Sequence, residues 1–274
     1  MSKLLLALFV FLSLFNPVSA SSDMSTTTLI LAPHFDDAVL PLGGLLSKTD
    51  DDKVVVTVFS GKPEIVKKTW WDFVSGFLSS DTAISIRTEE NANALKVFGT
   101  TEINLGFLDG QYRKASTTAE TKEKVKGKVI ELITNESKNG HLDVYFPAYF
   151  GTKITHKDHL MVHDIVLDLI KSGEFPNVSW YMFEDMPYTL VYYKKHKEDL
   201  FDYLKESLPD FTLTLKEIAL RDTDLDTQMK SILNYTSQVK AFKFIGNPLV
   251  RVIEFAKKHC ENGPCEKVYK VEKK

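Results

Sequence analysis

Short apolar runs alternate with amphipathic segments over the first two thirds of the chain, and this alternation constrains the fold more than any other feature. The predicted strands between residues 26 and 183 are "TTTLILA", "KVVVTVFSG", "TEINLGF", "HLDVYFPAY" and "NVSWYMF". A continuous apolar run such as residues 53–61 is typical of a strand that is buried on both faces. Strands that alternate with helices indicate βαβ units. We therefore expect an α/β, Rossmann-like, doubly wound and mainly parallel sheet with helices on both faces.

The segments between these strands predict the helices. Helical spacing covers residues 38–48, 82–99, 120–136 and 157–173, and the second and fourth segments end at Gly99 and Gly173. After residue 190 the pattern weakens. "FTLTL" predicts an edge strand, and residues 225–244 and 249–259 predict late helices. Since no repeat or low-complexity linker interrupts the chain, we expect one domain over residues 21–274.

Residues 1–20 are typical of a cleaved signal peptide. Lys3 precedes an apolar run from Leu4 to Phe15, and small residues follow at positions 18–20. An uncleaved membrane anchor is the alternative, but the run is shorter than the roughly 20 residues that a spanning helix needs. We therefore predict a secreted or periplasmic protein with no membrane span after cleavage.

Charge and cysteine content narrow the class of protein further. A formal net charge of -3, with no basic stripe, argues against a nucleic-acid partner. The two cysteines, Cys260 and Cys265, flank a turn sequence and predict a disulfide in an exported protein. A two-cysteine zinc site is the weaker alternative. Oligomeric state is not indicated by the sequence.

The ends of the predicted strands carry the residues with the most chemistry. They are His34, Asp36 and Asp37 after the first strand, Ser60 and Gly61 after the second, Asp109 and Gly110 after the third, and His156, Asp158, His159 and His163 after the fourth. In a doubly wound sheet, ligands bind beyond the carboxyl ends of the strands. We therefore expect these side chains to form one site.

Histidine and aspartate suit zinc or another divalent metal, and a catalytic zinc needs three protein ligands and one open position. His34, one aspartate of the 36–37 pair and one later histidine meet that need, which leaves the second aspartate as a general base. Structural alternatives remain. Either aspartate could cap the helix that begins at residue 38, and His163 could be a core histidine.

These residues resemble the motifs of the PIG-L/LmbE family of zinc-dependent N-acetylglucosaminyl de-N-acetylases, roughly [AP]-H-P-D-D-E and H-x-D-H. The matching segments are "PHFDDA" at residues 33–38 and "HKDH" at residues 156–159. The resemblance implies that His34, Asp37 and His159 are the metal ligands. It also implies that Asp36 is the general base and that protonated His156 stabilises the oxyanion. Zn²⁺ is the expected metal, with Fe²⁺ as an alternative.

Other segments extend the resemblance over roughly residues 27–245. "RTEENANALKVFG" and "FLDG" match the family's substrate-binding segments, which implies that Arg87 and Asp109 contact substrate. A surface ion pair with Glu89 or Glu90 is the alternative for Arg87. "FEDMPY" also resembles a family segment, without an assigned role. The chain departs from the motif at Phe35 and Ala38, and the missing carboxylate at position 38 bears on substrate choice more than on reaction type.

The resemblance implies a hydrolase that removes the acetyl group from an N-acetylated amino sugar or glycoside. Two alternatives remain, namely an amidohydrolase of the same fold with another N-acyl substrate and a non-catalytic sugar-binding module. A pure binding module has no use for a base such as Asp36, which favours an enzyme.

Overall fold

The computed structural model describes residues 25–138, 140–151, 153–196, 199–242 and 248–274. The predicted signal peptide, residues 1–20, lies outside these residues, as do positions 243 and 244 of a predicted late helix. Within the described part, none of the helices is both long and apolar enough to cross a membrane.

The described strands form one seven-stranded sheet with the order β3-β2-β1-β4-β5-β7-β6. The strands are β1 (Thr26–Ala32), β2 (Asp52–Thr57), β3 (Thr101–Asn104), β4 (His141–Pro147), β5 (Val178–Phe183), β6 (Phe211–Ala219) and β7 (Cys265–Lys273). Strands β1 to β5 pair in parallel. Strand β7 is antiparallel to both β5 and β6. The expected mainly parallel sheet is therefore confirmed, with an antiparallel pair added at one end.

Ten helices are described between and after the strands. They are α1 (Val39–Lys48), α2 (Trp70–Val74), α3 (Ser80–Lys96), α4 (Thr118–Glu136), α5 (Lys157–Ser172), α6 (Tyr188–Lys195), α7 (Leu200–Ser207), α8 (Asp222–Ile232), α9 (Thr236–Phe242) and α10 (Pro248–Lys258). The predicted helix over residues 225–244 is in fact two helices. Strand β7 was not predicted, because its apolar residues do not alternate regularly with polar ones.

Alternate residues of β1 enter different cores, because successive side chains of a strand point to opposite faces. Leu29 and Leu31 join the cluster that contains residues of α4 and α5. Ile30 and Ala32 join the cluster that contains residues of α1, α3 and α8. The sheet is therefore covered on both faces, as a doubly wound fold requires.

Helix α1 packs closely on α8, and glycine makes this approach feasible. A Cβ atom at Gly43 would lie 2.3 Å from Cγ of Gln228, and one at Gly44 would lie 2.5 Å from a methyl carbon of Leu220. The buried carboxylate of Glu266 in β7 accepts hydrogen bonds from the backbone N–H groups of Gly44 (2.7 Å) and Leu45 (2.8 Å). This contact connects α1 to the antiparallel end of the sheet.

Candidate metal centre

The order of the strands determines where the predicted metal site lies. Strand β1 is flanked by β2 on one side and by β4 on the other, so the connections leave β1 in opposite directions. Such a switch point opens a crevice at the carboxyl ends of the two central strands. His34 follows β1, and His156 and His159 follow β4, so the two sequence motifs meet in this crevice.

Three atoms of the predicted ligands lie at equal distances. His34 Nδ1 is 3.1 Å from Asp37 Oδ2 and 3.1 Å from His159 Nε2, and these last two atoms are also 3.1 Å apart. A tetrahedral ion with ligand distances of about 2.0–2.2 Å separates its ligand atoms by roughly 3.3–3.6 Å. With a small outward movement, this triangle fits one face of such a coordination sphere.

The charge of the site also suits a cation. Burial opposes protonation of His159, but Asp185 and Asp37 outweigh it and raise the pKa of His159 to about 10. The pKa of His34 is likewise raised, against burial, by Asp109, Asp158 and Asp37. A field strong enough to hold protons on the buried imidazole of His159 and the half-buried imidazole of His34 would favour a divalent ion in their place. The His/Asp cluster can therefore hold a divalent metal.

A buried aspartate lies behind His34. Asp158 Oδ2 is 3.3 Å from His34 Nε2, and the same carboxylate accepts hydrogen bonds from Gly110 N–H (2.7 Å) and Arg113 Nη2 (2.5 Å). These donors fix the carboxylate. The hydrogen bond and charge of His34, and then the charge of Arg113, lower the pKa of Asp158 against burial. Asp158 therefore orients the His34 ring, as the carboxylate partners of metal-binding histidines do.

A second aspartate lies behind His159, and the sequence did not identify it. Asp185 Oδ2 is 2.5 Å from His159 Nδ1, while Oδ1 has no hydrogen-bond partner among the described residues. Burial raises the pKa of Asp185 to about 6 even though His159 opposes the shift. Asp185 belongs to "FEDMPY" and follows β5, so its position at a strand end was the signal that could have located it.

Asp36 lies in the wall of a cavity, together with Asp37 and Asp109. The cavity has a volume of about 350 Å³, and Asp36 is one of its lining residues. Burial and then the neighbouring charge of Asp37 raise the pKa of Asp36 to about 7. His159 and His34 lower the pKa of Asp37 in spite of its burial. The two adjacent carboxylates thus differ electrostatically, because Asp37 contacts both histidines and has a lowered pKa, whereas the pKa of Asp36 is raised.

His156 also lines the cavity, and its proton position follows from helix α5. Its Nδ1 accepts the N–H of Asp158 at 3.3 Å and so caps the first turn of the helix. In a neutral imidazole with Nδ1 as acceptor, the proton is on Nε2. Burial and then the charge of His34 lower the pKa of His156 to about 4. The structure therefore favours a neutral His156 that donates from Nε2, and not the protonated form that the sequence resemblance implies.

The predicted substrate residues both line the cavity. Asp109 accepts hydrogen bonds from Gln111 N–H and Gln111 Nε2, each 2.9 Å, and one oxygen lies 3.8 Å from His34 Nε2. Arg87 is 5% exposed. Its Nη1 lies 3.1 Å from Asp72 Oδ1, and its Nη2 donates to Ser75 Oγ at 3.0 Å.

The alternative that pairs Arg87 with Glu89 or Glu90 is wrong, because the guanidinium pairs with Asp72. Glu90 instead accepts hydrogen bonds from residues at the start of α9. The two Nη atoms of Arg87 thus order the segment around α2. Because Arg87 also lines the cavity, its contact with substrate stays a prediction.

The structural alternatives for the aspartate pair and for His163 have different outcomes. Helix α1 begins at Val39, its N-cap is Ala38, and no side chain caps it, so neither Asp36 nor Asp37 is a helix cap. His163 is buried, and its Nδ1 lies 2.9 Å from the carbonyl oxygen of Pro147. Burial lowers the pKa of His163. The interpretation of His163 as a core histidine agrees with this environment.

Fold and site together define a doubly wound α/β protein in which a His/Asp cluster that could hold a divalent metal lies at a topological switch point. The family model for GlcNAc-PI de-N-acetylases, named PIG-L, matches residues 29–170, which include every residue of both motifs. The chain belongs to the PIG-L family. No curated protein matches the chain by sequence.

Solved structures show the same fold. The zinc-inhibited form of the teicoplanin deacetylase Orf2 superposes with a TM-score of 0.71 at 20% identity, over 90% of this chain and 98% of that chain. The A40926 pseudoaglycone deacetylase Dbv21 gives 0.67 at 19% identity, over 91% and 98%. GalB, the 4-carboxy-2-hydroxymuconate hydratase from Pseudomonas putida KT2440, gives 0.55 at 14% identity, over 91% and 95%. Proteins with different reactions thus share this fold, and the reaction has to be argued from the site.

Proposed function

We propose that the protein is a zinc-dependent hydrolase that removes the acetyl group from an N-acetylated amino sugar or its glycoside. The observation that carries the proposal is the triangle of His34, Asp37 and His159 atoms beside the cavity-facing carboxylate of Asp36. This arrangement provides three ligands, a base and space for a substrate. Membership of the PIG-L family supports the same reaction.

The three ligands suit zinc, and Fe²⁺ is the alternative, since both metals accept imidazole and carboxylate. When bound there, a divalent metal supplies a polarised amide carbonyl and a more acidic water. Asp158 and Asp185 hold the two imidazole rings from behind. Their contribution is to keep the ring nitrogens of His34 and His159 aimed at one point.

Asp36 is the group that moves the proton. A carboxyl whose pKa is raised by burial and by Asp37 can accept a proton from the attacking water and return it to the departing amine. Asp37 cannot replace Asp36 in this role, because Oδ2 of Asp37 is engaged by His34 and His159. The division of labour within the pair follows from these contacts.

His156 stabilises the charge that develops on the amide oxygen. Its Nδ1 is engaged by the backbone of α5, so its Nε2–H is the donor available to a substrate. One well-placed donor of this kind contributes about 3–4 kcal/mol to the transition state. Because the ring also caps the helix, its orientation is fixed before substrate binds.

The walls of the cavity suit a sugar ring. Aromatic side chains of Phe59, Trp71 and Tyr188 line it together with Asp109 and Arg87. Aromatic faces pack against the apolar face of a pyranose, and carboxylate and guanidinium groups bind its hydroxyls. We also propose that the chain is exported and acts as one domain, on the basis of the signal-peptide pattern and the single sheet.

Metal analysis combined with acetate release from a panel of N-acetylated amino sugars and glycosides tests the proposal. The panel should include N-acetylglucosamine, its alkyl and aryl glycosides, and an N-acylated amino acid as a representative of another N-acyl class. We expect about one metal per chain and acetate release from at least one sugar. Asp36→Asn is the matched control, because it keeps the ligands and removes the base.

Stoichiometric metal with acetate release only from the amino acid would favour the same-fold amidohydrolase with another N-acyl substrate. Sugar binding without acetate release, in a protein that retains its metal, would favour the sugar-binding module. A chain that binds no divalent metal after exposure to zinc and iron would overturn the proposal altogether.

A further inference from the structure

Exposed apolar side chains are concentrated in one segment of the described chain. In the described part of the chain, eight large apolar residues are exposed, and five of them lie between positions 65 and 78. These five, which we call the 65–78 patch, are Ile65, Val66, Trp70, Phe73 and Leu78. Single exposed apolar residues are normal, whereas a contiguous group marks an interaction site.

The segment that carries the patch is closed at its base. Lys67 and Ser80 exchange two hydrogen bonds of 2.9 Å, from Lys67 N–H to Ser80 Oγ and from Ser80 N–H to the carbonyl of Lys67. This pairing brings the chain beside Val66 next to the chain beside Leu78. On α2, Trp70 and Phe73 lie one turn apart with their ring centroids separated by 5.8 Å.

The backbone that carries the patch is firmly anchored. The hydroxyl of Tyr112 donates to the buried carboxylate of Asp72, whose two oxygens lie 2.9 and 2.8 Å from it, and the carboxylate also pairs with Arg87. Thr69 Oγ1 donates to Gln111 Oε1 at 2.6 Å. With its polar groups directed inward, the segment holds its apolar side chains outward, so their exposure belongs to an ordered surface.

Three lysines, Lys62, Lys67 and Lys68, lie in or beside the segment that carries these apolar side chains. The acids beside them are Glu64, which is exposed, and Asp81, which is half-buried. Asp72 is buried and paired with Arg87. Lys62 also contacts Asp81 at 3.1 Å. Exposed aromatic and aliphatic side chains with lysines at their border are the chemistry of a protein surface that binds an anionic lipid interface.

We propose that the 65–78 patch docks the protein on an anionic lipid bilayer. Trp70 and Phe73 would enter the headgroup region, where tryptophan is favoured, and the lysines would contact anionic headgroups. A second copy of the chain fits this surface less well, because a two-fold contact would bring the same lysines face to face.

The position of the patch relates docking to the cavity. Trp71, the residue after Trp70, lines the cavity wall. A protein docked through the patch therefore presents its cavity close to the lipid surface. The docking inference does not rest on the proposed reaction, since it follows from the exposed side chains and their charges alone.

Vesicle co-sedimentation tests the proposal, with pure phosphatidylcholine and with phosphatidylcholine containing phosphatidylglycerol. The variant Trp70→Ser/Phe73→Ser/Leu78→Ser is compared with Leu233→Ser, which removes an apolar side chain that is 56% exposed elsewhere. We expect binding to anionic vesicles that the triple variant weakens by about tenfold or more and the control leaves unchanged. Each chain has the same N-terminus, so any contribution from it cancels.

The contribution of the lysines and the depth to which Trp70 enters the bilayer are tested separately. Lys67→Glu/Lys68→Glu should weaken binding to anionic vesicles, whereas Lys124→Glu/Lys128→Glu, with the same charge change on α4, should not. Brominated lipids should quench the fluorescence of Trp70, and Trp70→Phe should remove most of that quenching. Trp180 is 6% exposed and serves as an internal reference.

Binding that survives the triple variant, or that occurs without quenching of Trp70, would overturn the proposal, as would an absence of vesicle binding. Dimerisation that the triple variant abolishes, without vesicle binding, would assign the patch to a second copy. Metal content of the triple variant should equal that of the unmodified chain, which separates a docking defect from a folding defect.

Discussion

Asp36 and Glu266 are both buried acids with raised pKa values, yet their surroundings differ. The pKa of Asp36 is raised to about 7 by burial and by Asp37, and the pKa of Glu266 is raised to about 8 mainly by burial. Asp36 lines a cavity of about 350 Å³. Glu266 borders a void of about 20 Å³, which has room for roughly one water. Only the first acid has space for a substrate.

The hydrogen bonds of Glu266 reinforce this contrast with Asp36. Both oxygens of Glu266 accept backbone N–H groups of α1, and one of them lies 3.3 Å from Gln228 Nε2. Such a carboxylate supports packing, because its acceptor sites are occupied. A raised pKa therefore indicates a reacting group only when the group also faces a substrate-sized cavity. The predictions that follow test this difference.

The largest effect is expected at the metal ligands. His34→Ala, Asp37→Ala and His159→Ala should each lose bound metal and all measurable activity, because three ligands are the minimum for a catalytic site. Metal content by mass spectrometry checks this. Glu266→Gln is the matched control at the other buried acid and should keep its metal. Stoichiometric zinc with unchanged affinity in any of the three alanine variants would remove that residue from the ligand set.

Asp36→Asn should retain its metal and lose about 10²–10⁴-fold in kcat/KM, the usual worth of a positioned acid–base group. A base must be unprotonated to act, so kcat/KM should fall as pH drops through the pKa of Asp36. A bound cation lowers that pKa from about 7. The acidic limb of the pH profile should disappear in Asp36→Asn.

Asp37→Asn provides the comparison within the pair. It should weaken metal binding first and lose activity in proportion, and added zinc should partly restore it. Zinc should not restore Asp36→Asn. The reverse pattern would mean that the two aspartates have exchanged roles.

Asp185→Asn should weaken metal affinity by about 10–100-fold, because the carboxylate behind a ligating histidine fixes its ring and its basicity. Chelator competition measures this change. Asp210→Asn, at an exposed carboxylate that pairs with Lys171, is a control with the same chemistry far from the histidines. Equal affinities in the two variants would show that Asp185 does not act through His159.

Glu266 should affect stability and not activity. Its folded-state pKa, about 8, exceeds its ordinary value of 4.5, so the folded protein binds more protons between these pH values. The resulting stabilisation is complete below about pH 4.5 and is lost as pH rises through about 8, by an amount on the order of 5 kcal/mol. In Glu266→Gln, whose amide stays neutral at every pH, the free energy of unfolding should fall less steeply between pH 5 and 9. Denaturant unfolding at several pH values measures both slopes, and identical slopes would mean that Glu266 is not a buried acid of this kind.

The sequence predicted the parallel part of the fold well, because buried parallel strands and their helices have clear patterns. Strand β1 has the predicted bounds, and α4 and α5 differ from the predictions by at most two residues. Strand β7 was missed because "CEKVYKVEK" does not alternate regularly and its partners, β5 and β6, lie far away in sequence. Long-range antiparallel pairing leaves little local signal.

The residues of the site show the same difference between local patterns, which the sequence reveals, and long-range contacts, which it does not. His34, Asp36, Asp37 and His159 were identified because they lie in short motifs directly after strands. Arg113 was not, since its partner Asp158 is 45 positions away and nothing near Arg113 indicates the contact. Burial, proton positions and pKa shifts depend on such distant partners, and sequence spacing alone does not determine them.

The position of β7 inside the sheet has a consequence for synthesis. Strand β5 is made before β6, and β6 before β7, yet β7 lies between them. Until residues 265–273 arrive, the outer edge of β5 has unpaired backbone groups, and β6 has no place in the sheet. An open edge of this kind can pair with another chain. A ribosome that stalls within β7, or a protease that removes it, would therefore leave a protein with an open sheet edge that is prone to aggregate.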